Sequence, residues 1–207
     1  MDKLYKGIRR FQESFFKKEE DFFKRLSKSQ DPDVLFITCA DSRVDPALVT
    51  QSKPGELFIV RNIGNIIPRY DALKDKNSVA AAIEFAVLGL KVSDVIVCGH
   101  SNCGAMQALY KKNDEMDKMP HLRDWLNLAK PVKDAVLESF PDSPQEALQE
   151  ITEKENVLAQ IENLETYPFI AQALNESTLY LHGWYYEIGT GKMYAYIPNT
   201  DKFELIK

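Results

Sequence analysis

Apolar residues at Leu4, Ile8, Phe11, Phe15, Phe22 and Leu26 recur at helical spacings, and Phe16 and Phe23 widen the stripe. The periodicity predicts an amphipathic helical arm over residues 1–28, whose aromatic face must pack on its own chain or on a second subunit. Past the breaker "SQDPD" the pattern changes to short continuous apolar runs. "VLFITC" (34–39), "LFIV" (57–60) and "DVIVCGH" (94–100) suit strands buried on both faces. Between them "SVAAAIEFAVLGL" (78–90) is alanine-rich and long enough for a helix with Ser78 at its cap, and residues 104–112 read as another. Residues 120–174 keep a helical pattern broken at Pro131, Pro141, Pro144 and Pro168, and their acids and amides read as a solvated face. From residue 178 β-branched and aromatic residues alternate, and "GTG" supplies a hairpin turn. Strands alternating with helices predict an α/β fold: a mostly parallel central sheet flanked by helices, with the N-terminal arm and antiparallel C-terminal edge strands added. No repeat or linker divides the chain, so residues 1–207 read as a single domain.

Composition narrows the partners. A net charge of −5 lacks the basic excess that nucleic acid or an anionic membrane calls for, so neither is expected. "MDKLYKGIRRFQESFF" carries no secretory apolar stretch, and nowhere do eighteen apolar residues run together, which predicts a cytoplasmic protein. Three cysteines cannot build a disulfide framework, which leaves packing, metal binding or catalysis.

Sheets of this kind bind ligands at the carboxyl ends of their strands, and two of those ends carry reactive groups. "VLFITC" ends on Cys39 and runs into Asp41 and Arg43, while "DVIVCGH" ends on His100, with Cys103 three residues on. Read singly, Cys39 is an ordinary small core residue and His-x-x-Cys a coincidence of spacing. Their shared place at two strand ends favours one site, because two thiolates and an imidazole are the three ligands of a catalytic zinc with an open fourth position. Cys103 also opens a predicted helix, whose positive end favours a thiolate. Asp41 and Arg43 read either as a surface ion pair or as a guanidinium holding a carboxylate ionised beside the metal, and spacing leaves open whether Asp41 faces Arg43 or sits on the metal as its exchangeable fourth ligand. Cys98 reads as core, His121 as surface, and His182 as a hydrogen-bonded strand residue. Arg61 and Asn62 border the cleft, and Gly64 marks a turn.

"CADSRVDP", "RNIGNIIP", "AAIEFAVLGL" and "VCGHSNCGAM" together closely resemble the β-class carbonic anhydrases, and the resemblance covers essentially the whole chain. It implies one Zn2+ per chain held by Cys39, His100 and Cys103, and a catalytic dyad of Asp41 and Arg43. It also implies substrate contacts from Gln30 and Gly104, and an apolar CO2 pocket of Phe58, Ile63 and Phe85. Plant members have tyrosine where this chain has Phe85. A subgroup with a bicarbonate-controlled switch has tryptophan where this chain has Phe36, so no such regulatory site is expected. The implied reaction is reversible hydration of CO2 to bicarbonate and a proton, by attack of a zinc-bound hydroxide that the dyad orients. Zinc lowers the pKa of its water from about 15.7 toward about 7; two thiolate ligands predict a less acidic water and greater activity at alkaline pH. Family members are dimers or higher assemblies, so a homodimer or tetramer is expected, with the arm packed on a neighbour. Two other readings stay open: the same site acting on carbonyl sulfide or carbon disulfide, and a structural zinc subunit. Asp41, Arg43 and Gln30 argue against the second, since a structural site needs only ligands. Redox pairing of Cys98 with Cys103 lacks the Cys-x-x-Cys spacing.

Overall fold

A computed structural model describes residues 1–70, 76–111 and 113–207. The three apolar runs become β1 (Val34–Cys39), β2 (Leu57–Asn62) and β3 (Asp94–His100). They pair in parallel with β1 in the middle: Leu35 lies opposite Phe58 and Val95, and Cys39 opposite Asn62. β4 (Tyr180–Glu187) joins β3 in parallel, and only then do β5 (Lys192–Ile197) and β6 (Lys202–Leu205) run antiparallel. The sheet of six strands has the order β2-β1-β3-β4-β5-β6. The expected antiparallel edge therefore begins one strand later than the alternation suggested, because β4 still enters by a crossover. The β4–β5 hairpin closes on Gly191, whose φ of 72° is easy for a residue without a side chain.

The arm is helical but not one helix. α1 (Asp2–Arg10) passes into a π-helical segment, Phe11–Phe16, and α2 (Glu20–Leu26) follows. Phe11, Phe15, Phe16 and Phe23 stack edge and face on one another, and α1 buries no residue. A short α3 (Pro46–Thr50) is capped by Asp45, which accepts the Leu48 amide at 3.2 Å. α4 (Ser78–Glu84), which continues through a π-helical turn at Phe85–Gly89, is capped by Asn77 and not by Ser78. The Asn77 side-chain Oδ1 accepts the Val79 and Ala80 amides at 2.9 and 3.1 Å. α5 (Gly104–Ala108) ends short of residue 112; Lys112 itself lies outside the described residues.

The proline-broken region gives α6 (Asn113–Met116), α7 (Pro120–Leu126), α8 (Lys130–Ser139), α9 (Gln145–Glu165) and α10 (Pro168–Asn175). Pro120, Pro131 and Pro168 sit in first turns, where a missing amide proton costs nothing. α9 packs Val157 and Leu164 into the main core with Leu35, Ile37, Val95 and Val97. Its polar residues are not all a solvated face, as the sequence reading had them: Thr152, Glu153, Asn156 and Gln160 are buried. Asn156 and Gln160 are buried because the loop after β2 needs partners. Asn156 donates to the Gly64 carbonyl at 3.0 Å, and Gln160 accepts the Ile67 amide at 2.7 Å. Among the described residues no helix is long and apolar enough to cross a membrane.

Candidate metal centre

β1 and β3 are neighbours, so Cys39 and His100 leave the sheet side by side at its carboxyl edge, and the turn after β3 returns Cys103 to them. One ligand atom from each of Cys39, His100 and Cys103 lies within 4.8 Å of the others, and all three residues are buried. The two sulfurs are 4.0 Å apart. Tetrahedral zinc with bonds of about 2.3 Å to sulfur would place them about 3.8 Å apart, so the two sulfurs need almost no adjustment to share the ion.

The imidazole is already oriented for a cation. Its Nδ1–H donates to the Ser101 carbonyl at 3.0 Å, which leaves the Nε2 lone pair facing the sulfurs. Nε2 is buried and has no hydrogen-bond partner, an arrangement that costs free energy until an electrophile arrives. The thiols agree with this. Cys39 is pulled down to about 4 by the hydrogen bond from Cys103, helped by His100 and the Gly64 amide and opposed by burial, while the same contact and burial push Cys103 up. Two buried sulfurs thus share a proton that a divalent cation would displace.

Asp41 stands at the mouth of this cluster. Arg43 grips it with Nε to Oδ1 at 2.9 Å, Nη2 to Oδ2 at 2.7 Å and the backbone amide to Oδ1 at 2.9 Å. This hydrogen bonding, chiefly from the guanidinium, holds the carboxyl well below the usual carboxylate range against the opposing effect of burial. Arg43 is itself anchored on the Asn102 carbonyl at 3.0 Å, so the pair spans both ligand loops. The free side of Asp41 Oδ2 lies 4.0 Å from His100 Nε2. Asp41 is engaged by Arg43, the alternative that spacing alone left undecided.

Arg61, next to last in β2, donates to the carbonyls of Cys39 at 3.1 Å and Asp41 at 2.6 Å, fixing the segment between ligand and dyad. Asn62 closes its own loop by accepting the Ile66 amide at 2.8 Å and donating to the Ile66 carbonyl at 3.0 Å. Gly64 has φ 76°, and its amide points at the Cys39 sulfur from 3.4 Å. Cys98 is core, with its thiol pushed up to about 12 by burial, and His182 bonds Asp94 at 2.7 Å.

The other sequence-predicted residues divide. Ile63 is 44% exposed in the turn beside Cys39, and a Cβ at Gly104 would meet nothing within 4 Å, so both border open space by the cluster. Gln30, Phe58 and Phe85 are not brought there. Gln30 is exposed in the segment entering the amino end of β1, where the Asp33 carbonyl accepts the Ser93 and Asp94 amides. Phe58 pairs in register with Leu35, four residues before Cys39 and so about 13 Å along the strand. Phe85, 48% exposed, packs on Phe58 with ring centres 5.8 Å apart. One residue was missed entirely: Glu153, whose carboxylate accepts the Cys103 amide at 2.8 Å. The only sequence signal for it was an acid in step with Val157 and Leu164, the buried face of its own helix.

A parallel sheet carrying two cysteines and a histidine at adjoining carboxyl strand ends, with an arginine-held carboxylate at the opening, has the construction of a soft-ligand metalloenzyme centre. The carbonic anhydrase family model matches residues 34–193. A carbonic anhydrase of Synechocystis is 44% identical over 95% of this chain and 71% of its own length, and one of Synechococcus elongatus is 45% identical over 93% and 70%. Among solved structures, the β-carbonic anhydrase CcaA superposes with a TM-score of 0.96 at 43% identity, covering 100% of this chain and 99% of that one. A structure described as one of two tetrameric β-carbonic anhydrases from Sordaria macrospora gives 0.82 at 28% identity, covering 94% and 97%. The chain belongs to the carbonic anhydrase family, in its β class.

Proposed function

We propose that this protein catalyses the zinc-dependent, reversible hydration of CO2 to bicarbonate and a proton, with Cys39, His100 and Cys103 as ligands and Asp41 and Arg43 as the catalytic dyad. The observation that carries this is the buried, unpartnered His100 Nε2 facing two sulfurs, beside a carboxylate locked by Arg43. When bound, zinc supplies an acidified water able to attack an electrophilic carbon. The dyad supplies selection. An ionised carboxylate only accepts hydrogen bonds, so Asp41 admits a nucleophile that still carries a proton and turns its lone pair outward to the substrate carbon. Arg43 keeps Asp41 in that state and away from the cation. Ile63 and the open face of Gly104 suit a small substrate of little polarity. The proton then passes to buffer.

Gln30, Phe58 and Phe85 complete the site from a second copy of the chain. Supporting this reading are their place away from the cluster of their own chain, Phe58 at the amino end of β2 with Phe85 packed on it, and the exposed aromatic arm, which offers a neighbour an apolar surface. The protein therefore works as at least a homodimer.

Zinc analysis of purified protein together with stopped-flow CO2 hydration tests the reading. About one zinc per chain and rapid hydration are expected; a folded protein that takes up no zinc would sink it. Asp41→Asn should keep its zinc and lose most turnover, whereas full turnover in that variant would return the dyad to a purely structural role.

A further inference from the structure

Glu153 lies on α9 with 3% of its surface exposed. Its carboxylate takes three neutral donors: the Cys103 amide at 2.8 Å and Gln149 Nε2 at 2.9 Å on Oε1, and the Tyr185 hydroxyl at 2.8 Å on Oε2. A buried carboxylate with neutral donors is costly to maintain and would be easily replaced if it served only packing. What it does here is specific. Cys103 is the one ligand outside the sheet, carried by a turn that leads into α5, and its amide has no strand or helix partner of its own. Tyr185 reaches Glu153 from β4, whose main chain also receives the Ser101 amide at the Tyr186 carbonyl at 2.9 Å. The turn holding Cys103 is thereby tied to α9 and β4 at once. Burial, reinforced by Glu153, raises the Tyr185 pKa, so the phenol remains a donor.

We propose that Glu153 is a positioning residue of the metal centre: by accepting the Cys103 amide, with Tyr185 bracing it, it sets the placement of the Cys103 sulfur and hence the affinity and geometry of the bound metal. The proposal rests on the zinc reading of the Cys39, His100 and Cys103 cluster. Partners of this kind typically change metal affinity by about 10–100-fold when removed.

The test uses full-length protein, with Zn2+ affinity measured by chelator competition and the ligand field by absorption of the Co2+-substituted form. Glu153→Ala is expected to weaken zinc binding by about tenfold or more and to shift the sulfur-to-cobalt charge-transfer bands. Glu153→Gln, which keeps an acceptor for the Cys103 amide, should recover most of both. If the alanine variant does not fold, Tyr185→Phe takes its place, freeing one carboxylate oxygen without opening a large hole, and a smaller shift in the same direction is expected. Tyr167→Phe is the control: it removes a buried hydrogen bond to the Pro68 carbonyl of 2.8 Å, away from the cluster. It should lower stability without moving the bands. Wild-type affinity and unshifted bands in Glu153→Ala, or in Tyr185→Phe where that variant stands in, overturn the proposal. So does a glutamine variant as weak as alanine, or a Tyr167→Phe that moves the bands equally. A wild-type protein that binds neither ion overturns the zinc reading itself, and the proposal with it.

Discussion

Single side chains decide the behaviour of this centre, and their protonation gives it a definite pH dependence. Without metal, the contact with Cys39 and burial raise Cys103, and for His100 the contacts with Cys39, Ser101 and Asp41 outweigh the lowering by burial. A cation must compete with protons for both groups, so zinc affinity should climb as pH rises and weaken as it falls. Competition titrations at several pH values check this, and an affinity flat between pH 6 and 8 would contradict it. Asp41 behaves oppositely. Its folded pKa lies below its unfolded value of about 3.9, so its contribution to stability is complete above that pH and is lost on further acidification. Asp41→Asn should therefore show a shallower acid limb in denaturation midpoints between pH 5 and 2. Cys39, Asp41, Arg43, His100 and Cys103 were legible in sequence because strand ends and fixed spacings announce them. Arg61 and Glu153 act through main-chain groups brought near only by folding, so the step of Glu153 with Val157 and Leu164 does not tell what it serves.

At the level of elements, the loop after β2 is held between helices, with α9 bonding its main chain and α5 closing on Gly64. Gly64 meets α5 so closely that a Cβ would lie 3.0 Å from both Ala105 Cβ and Met106 Cε, and its φ of 76° adds strain for any other residue. Gly64→Ala should cost about 1–3 kcal/mol, read from the urea midpoint, and should loosen metal binding because the Gly64 amide serves the Cys39 sulfur. At the start of α4, Asn77→Ala should cost about 1 kcal/mol with no change in metal affinity. The same contrast explains what the pattern of residues could and could not tell. β1 and β3 were plain, each built on a continuous apolar run and buried almost end to end. α9 was found as a helix but turned the wrong way out, since a stripe of Thr152, Glu153, Asn156 and Gln160 looks solvated until the main-chain groups and tyrosine hydroxyls it bonds are in place. The cap of α4 moved by one residue because asparagine at 77 and serine at 78 both carry capping side chains.

For the whole molecule, the arm is the element that offers the largest exposed run of aromatic and aliphatic side chains. Leu4, Ile8, Phe11 and Phe15 stand exposed on the arm, and removing residues 1–28 should shift sedimentation toward smaller species with lower activity; an unchanged assembly would place the subunit contact elsewhere. The geometry of the strands has a further genetic consequence. If each centre combines Asp41 of one chain with Gln30 of another, two inactive variants should rescue each other. In a mixed dimer of Asp41→Asn and Gln30→Ala, one centre inherits both lesions and the other inherits neither. Co-expressed at equal levels, with random pairing, the two defective chains should restore roughly a quarter of wild-type centres.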